Sequence, residues 1–267
     1  MVMDAKCADN LAELSVKARQ AVMEAGEILK EHWFKPSEVR RKGRIDLVTA
    51  TDLALEQFLI AKLSAIAPEA TIMAEETARD VKPGRLTWII DPLDGTTNFA
   101  HRLPFAAISV GLWHDDHPLL GIVNAPMLGE CYWAVKDQGA FVNDRPLRVS
   151  ETADLEDALV VTGFPYTVRE HIKTLMLDFE SVVLHTQGMR RLGAASIDLA
   201  YVAAGRFDAF YEMGLKPWDT AAGWLLVTEA GGQVSQYEAH KPYNLQAQTI
   251  LATNGRLHQA VSRLLGA

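Results

Sequence analysis

The sequence has little cysteine. There are two cysteines in 267 residues, Cys7 and Cys131. Neither has a second ligand at metal-binding spacing, so no zinc site is legible. So sparse a thiol content suits a reducing cytoplasm rather than a disulfide framework. Positive charge is also short: 26 basic residues face 34 acidic ones, a formal net charge of -8. That balance argues against a general nucleic-acid binder, which needs a basic footprint. It suits a protein that collects divalent cations, and equally one with a solvated acidic surface. No apolar run approaches the ~20 residues that span a bilayer. The start, Met1-Val2-Met3-Asp4, lacks the basic segment and apolar stretch of a secretory leader. There is no Gly-x-Ser-x-Gly nucleophile turn, no Walker loop, no repeat and no low-complexity segment.

What is present is ordinary globular chemistry, 49% hydrophobic and 22% charged. Its length suits one large domain or two smaller units sharing a core. Leu11, Leu14, Ala18, Val22, Ala25, Ile28 and Leu29 recur at helical spacing, which predicts a helix over 10–34 capped by Asp9 or Asn10. A basic loop follows, Arg40 to Arg44. A second helix starts near Thr49–Asp52, turns Leu55, Phe58, Leu59, Leu63 and Ile66 inward, and stops at Pro68. The middle third changes period. Strands are expected at 87–90, 106–113, 121–124 and 131–135, with short links that favour antiparallel neighbours. Beyond residue 150, strands at 158–161, 207–211 and 249–253 alternate with helices at 171–184, 194–204, 219–230 and 256–265. Helices at both ends with sheet between them imply a layered α/β sandwich. The expected organisation is an N-terminal half, 1–150, and a C-terminal half, 151–267, packed without a flexible linker.

The segment Asp91-Pro92-Leu93-Asp94-Gly95-Thr96-Thr97-Asn98-Phe99 carries the strongest chemical signal. It follows an apolar strand, and its two aspartates can meet where that strand ends. Pro92 stiffens the turn, and Gly95 lets the backbone approach a ligand. Gly95, Thr96 and Thr97 can open a helix whose free N–H groups receive an anion. Hard oxygen donors beside an anion cradle are what magnesium with a phosphate requires. The plain alternative is an Asx-rich turn with capping aspartates. Glu75-Glu76 sits just past another probable strand end. Asp219 opens an apolar helix, where an N-cap is the usual role, and Asp52 in the second helix is equally a first-turn charge.

Together these segments resemble the inositol monophosphatase family. The resemblance is carried by Asp91–Phe99, by Trp218-Asp-Thr-Ala-Ala-Gly223, by Asp46-Leu-Val-Thr-Ala-Thr-Asp52 and by Ala74-Glu-Glu76. Tyr211-Glu-Met-Gly214 and Gly193-Ala-Ala-Ser196 add to it, and the order holds over nearly the whole chain. The resemblance implies an α-β-α-β-α sandwich of the inositol monophosphatase and fructose-1,6-bisphosphatase type, and a homodimer. It implies Mg2+-dependent hydrolysis of myo-inositol monophosphate by a metal-activated water attacking in line, with lithium sensitivity. In that pattern Glu75, Asp91 and the Leu93 carbonyl hold one Mg2+. Asp91, Asp94 and Asp219 hold a second, and a third, weaker ion lies near Glu75. Asp52 and Thr96 orient and deprotonate the water, with Glu75 also in the catalytic set. The N–H groups of Gly95 and Thr96 hold phosphate, and Ala195, Glu212 and Asp219 meet the polyol. The chain departs from the family in two places. Ala74 stands where glycine is usual, and the stretch from Lys42, which matches a flexible-loop lysine, to Asp46 is one residue short.

Fructose 1,6-bisphosphate, histidinol phosphate and 3′-phosphoadenosine 5′-phosphate are alternative substrates on the same scaffold. A regulatory protein of a transcription complex is an alternative of another class; the intact acidic set argues for retained catalysis, which a second, binding role would leave untouched. Three signals are set aside. His114-Asp115-Asp116-His117 reads as a solvated hairpin turn. His101 reads as loop packing, and Arg40–Arg44 as a solvated loop rather than a contact for RNA or an acidic partner.

Overall fold

The computed structural model describes residues 5–35, 39–41 and 47–266, with side chains for 11–35 and 48–266. Lys42 and Asp46 lie outside the described residues, as does the rest of the 42–46 segment. The N-terminal elements are α1 (Ala5–Trp33), β1 (Val39–Arg41), β2 (Leu47–Thr49) and α2 (Ala50–Ile66). Then come β3 (Thr71–Ala74), β4 (Leu86–Asp94), α3 (Thr96–Ala100), β5 (Ala107–His114), β6 (His117–Ala125), β7 (Glu130–Val135), β8 (Gly139–Val142) and β9 (Arg145–Pro146). The rest comprises β10 (Leu159–Thr162), α4 (Val168–His185), β11 (Gly188–Arg190), α5 (Ala195–Ala203), β12 (Ala209–Met213), α6 (Pro217–Glu229), β13 (Gln233–Ser235), β14 (Thr249–Thr253) and α7 (His258–Leu264).

The strands β3 to β9 form one seven-stranded sheet in sequence order. Only β3 and β4 run parallel within it; the short links from β4 onward give antiparallel pairs, as expected. A second sheet has the order β11-β10-β12-β14-β13. Three helix pairs fill the space around the two sheets. On the outer face of the large sheet, Val22 and Leu29 of α1 and Leu55, Leu59 and Leu63 of α2 bury against Trp88, Ile90, Val110 and Ile122. Between the sheets, Ile197 and Leu199 of α5 and Leu225 and Leu226 of α6 meet Val123 and Tyr132 on one side and Val161, Phe210 and Ala252 on the other. Beyond the small sheet, Val182 of α4 and Val261 of α7 cover Val160, Tyr211 and Leu251. The layers therefore run α-β-α-β-α. Each fully buried aliphatic side chain in them contributes about 1.5–3 kcal/mol.

This layering explains the unbroken apolar run in β4. Trp88 and Ile90 face α1 and α2, while Ile89 packs with Trp113 and Ala221 on the other side. A strand covered on both faces loses polar alternation.

Several boundaries differ from expectation. α1 begins at Ala5, so Asp9 and Asn10 lie inside it rather than capping it. α6 begins at Pro217, which makes Asp219 its third residue rather than its N-cap. The strands β1, β2, β8, β9, β11 and β13 were not anticipated, and β1 takes Arg40 and Arg41 out of the expected basic loop; none exceeds four residues, too few for a period to register. The His114–His117 segment is the β5–β6 hairpin turn, with Asp115 at φ 50° and paired to the His114 ring. The His101 side chain is exposed, so it packs no loop; its backbone N–H ends α3. No helix among the described residues is long and apolar enough to cross a membrane.

Candidate active site

The end of β4 solves a parity problem. Residues three apart in a regular strand point to opposite faces. Asp91 pairs with Ser109 and Asp94 with Ala107, so three steps on β4 match two on β5. That extra residue is a β-bulge, and it returns Asp94 to the face that Asp91 uses. Asp91 is then fixed by the Leu93 N–H, which donates to its Oδ1 at 3.0 Å. Gly95 follows at φ 83°, where a Cβ would stand 2.5 Å from the Phe105 carbonyl oxygen. Only glycine fits so tight a left-handed corner.

α3 starts at once with Thr96. Its hydroxyl lies 3.0 Å from Asp52 Oδ1 and 3.0 Å from the Leu93 carbonyl oxygen, and its single proton serves one acceptor at a time. Asp52 is held from the other side: its Oδ2 accepts from the Thr49 N–H at 2.8 Å and from the Thr49 hydroxyl. The residue is thus both a capping-box member of α2 and a hydrogen-bond partner of Thr96. Burial raises the Asp52 pKa against these bonds, which lower it.

The second half of the chain supplies the opposite wall. Ser196, at the start of α5, donates both its N–H (2.7 Å) and its hydroxyl (2.6 Å) to Asp94 Oδ2. Asp219 Oδ2 accepts from the Lys216 N–H at 2.6 Å. Glu212 rises from β12 and is buried against Gly163, where a Cβ would come 2.1 Å from its Oε2. Ala195 lines the same cavity.

Glu75, Asp91, Leu93, Asp94, Gly95, Thr96, Ala195, Glu212 and Asp219 all border one cavity of about 330 Å³. Five acidic side chains line it against three basic ones, Arg79, Arg191 and Lys216. Burial raises the Asp91 pKa, and Glu75, Asp94 and Asp219 push it further in the same direction. Burial holds Asp94 at about 6, with the Ser196 bonds opposing. Asp219 is raised by burial and then by Asp94. Glu212 reaches about 8, by burial and then the Asp219 charge.

Mutually repelling oxygen donors with too few cations are a donor set suited to hard divalent ions. They are not closed on a point: among the described residues, no three acidic, histidine or cysteine groups are gathered ready for one ion. One oxygen of Asp94 and one of Asp219 accept from N–H donors. Ala74 is not among the residues with positive φ, so alanine there costs nothing.

A larger groove of about 630 Å³ beside α1 and Trp133 lacks this character. Its acidic residues Glu24, Glu27 and Asp144 are each paired, with Lys62, Lys30 and Arg19.

Sequence reasoning passed over Glu56, Ser196 and Asp198. Ser196 sits in a recognised segment, but nothing in its type announced a bond to Asp94. Asp198 is wholly buried in α5 with neither carboxyl oxygen hydrogen-bonded among the described residues, and burial, then Glu212, raise its pKa.

The raised groups have a consequence for metal-free protein. Asp94 and Glu212 bind protons more tightly folded than unfolded. Their stabilising contribution is therefore complete below about pH 4 and is lost as pH rises through about 6 and then about 8. In a chelator, the thermal midpoint is expected to fall by several degrees across that window. Glu212→Gln is expected to flatten the alkaline part. A profile without slope would contradict the burial of these charges.

Five layers with acidic side chains from both sheets around one cavity define a carboxylate-centred site suited to hard cations. The inositol monophosphatase family model matches residues 10–266, and the chain belongs to that family of phosphatases. It is 43% identical over 255 residues to an inositol-1-monophosphatase of Synechocystis sp., covering 94% of this chain and 88% of that one. It is 39% identical to the Nus factor SuhB of Escherichia coli, covering 91% and 92% of the two chains. The solved inositol monophosphatase of Anabaena superposes with a TM-score of 0.87 at 36% identity, covering 96% of each chain.

Proposed function

We propose that the chain is a cytoplasmic, Mg2+-dependent phosphatase that hydrolyses myo-inositol monophosphate to inositol and phosphate. One observation carries the reading: the Asp52–Thr96 hydrogen bond stands at the wall of a cavity whose carboxylates raise one another's pKa. Glu75, Asp91 and the Leu93 carbonyl would hold one Mg2+, and Asp91, Asp94 and Asp219 a second, with a weaker third near Glu75. When bound, these ions supply the positive charge that offsets a phosphate dianion and lower the pKa of a water.

The chain's own residues do the rest. The Thr96 hydroxyl donates to Asp52 and accepts from the attacking water, holding it in line with the leaving oxygen. Asp52, whose raised pKa makes it a better proton acceptor, draws the water's proton through Thr96. Glu75 helps orient that water. The N–H groups of Gly95 and Thr96 bind phosphate oxygens. Glu212, Asp219 and the backbone at Ala195 receive the polyol hydroxyls. Residues 1–150 supply most cation donors and 151–267 the polyol wall, so the two halves act as one catalytic unit.

Gly163→Ala tests the Glu212 role, since the added methyl displaces that carboxylate. KM is expected to rise about tenfold, the value of one lost polar contact of 1–1.5 kcal/mol, with kcat less affected. An unchanged KM would remove Glu212 from substrate binding.

A phosphate-release panel in Mg2+ tests the substrate, comparing inositol 1-phosphate with fructose 1,6-bisphosphate, histidinol phosphate and 3′-phosphoadenosine 5′-phosphate. Inositol 1-phosphate is expected to be fastest. A much faster rival would replace it. Lithium is expected to inhibit.

α4 exposes Leu177 and Leu184 at 66% and 71%, with Ile172, Met176 and Val183 half-exposed beside them. An apolar helix face of this kind supports the homodimer. Sedimentation at twice the chain mass is expected, and a monomer would contradict it.

The relative named Nus factor SuhB favours a second reading, the alternative of another class kept from the sequence: a binding role in a transcription complex. The two are separable by pull-down from native extract. A stoichiometric polymerase or ribosomal partner supports the binding role; its absence leaves the phosphatase alone.

A further inference from the structure

Glu56 lies one turn beyond Asp52 on α2 and is wholly buried. All its hydrogen bonds among the described residues go to one short loop. Its Oε2 accepts from the Glu76 N–H at 2.8 Å, and its Oε1 accepts from the Thr77 N–H at 2.8 Å and from the Thr77 hydroxyl. The residue just before this pair is Glu75. Its own N–H donates to the Ile90 carbonyl of β4 at 3.2 Å. The Glu75 backbone is therefore pinned on one side to the sheet and on the other to a buried carboxylate.

Burying a carboxylate is costly unless its oxygens find donors. Here the donors are two successive N–H groups just past the end of β3. Asp52 and Glu56 are four residues apart, so they leave the same face of α2, about 6 Å apart along its axis. Asp52 reaches Thr96, and Glu56 reaches the loop that carries Glu75.

We propose that Glu56 is a positioning residue: it fixes Glu75 relative to the Asp52–Thr96 pair, so that one helix sets the distance between the water-orienting and cation-holding parts of the site. The inference rests on the reading of Glu75 as a cation ligand. A packing role alone would require volume only. Glutamine keeps that volume but replaces an acceptor oxygen with an N–H2 group facing a loop donor.

The test uses the full chain with Mn2+ as probe, measuring its affinity by calorimetry and the exchange of the Glu76 and Thr77 amides. Glu56→Gln is expected to weaken Mn2+ binding by about 10- to 100-fold and to speed exchange at both amides, with circular dichroism unchanged. Glu56→Asp, which keeps the charge but retracts it, is expected to fall between. Thr77→Val removes one of the three bonds and leaves the carboxylate in place. It is expected to act in the same direction more weakly, and it decides the matter if Glu56→Gln does not fold. Unchanged affinity in a folded Glu56→Gln, even with faster exchange, makes Glu56 a loop staple and overturns the proposal. Unchanged exchange overturns it as well. If the unaltered protein binds no Mn2+, the reading of the cavity is what fails, and the inference falls with it.

Discussion

Asp94→Asn is expected to lower kcat for phosphate release by about 10³-fold or more, equivalent to about 4 kcal/mol of lost transition-state stabilisation. The substitution isolates charge from structure. Asp94 Oδ2 accepts two bonds from Ser196, and an asparagine carbonyl oxygen can accept both. Packing changes little, because the two side chains have nearly the same shape. What is lost is one of the negative charges that bear on Asp91 and Asp219. Without metal, the variant is therefore expected to be as stable as the parent or slightly more so, since a like-charge repulsion disappears. Inactivity combined with undiminished metal-free stability is the signature of a ligand. A variant that keeps most of its turnover would take Asp94 out of the cation site.

Thr96→Ala is expected to cost about 10²- to 10⁴-fold in kcat, the range for removing a group that orients and deprotonates a nucleophile. Affinity for divalent ions should be largely kept, because the hydroxyl is not among the proposed donors. Asp52 should also stay seated, since two of its bonds come from Thr49 rather than Thr96. Serine at the same position keeps the hydroxyl and should recover much of the rate. An unchanged rate in the alanine variant would mean that the water is positioned by something else.

The Asp91–Phe99 segment was legible because apolar run, proline, glycine and paired acids each have a local meaning. What the spacing could not reveal is how Asp91 and Asp94, three apart, come to share a face. The answer lies in the β-bulge, which only the register with β5 exposes. Asp219 illustrates the same limit at a helix start. Asp219 reads as a cap, whereas two preceding residues, Pro217 and Trp218, have already begun the helix and leave the acid on its third position. Glu56 was hidden by base preference: a glutamate in mid-helix is usually solvated, and only burial shows that this one serves the Glu75 loop. Asp198 lies wholly buried in α5, and among the described residues its carboxyl has no hydrogen-bond partner, which only the structure reveals. Helices flanking a strand-rich middle implied a layered α/β sandwich, and the five-layer order came with the family resemblance. The place of α5 and α6 between two sheets depends on residues buried on both of their sides, which one-dimensional periodicity does not record.

Crystals soaked in Mn2+ and phosphate give the most direct measurement, because anomalous scattering locates the ions without assumptions. Paired peaks ligated by Glu75, Asp91, Asp94 and Asp219, with phosphate against the Gly95–Thr96 corner, are the predicted outcome. A cavity without peaks at saturating Mn2+, or ions held elsewhere with Asp91, Asp94 and Asp219 still turned to their N–H partners, would contradict it.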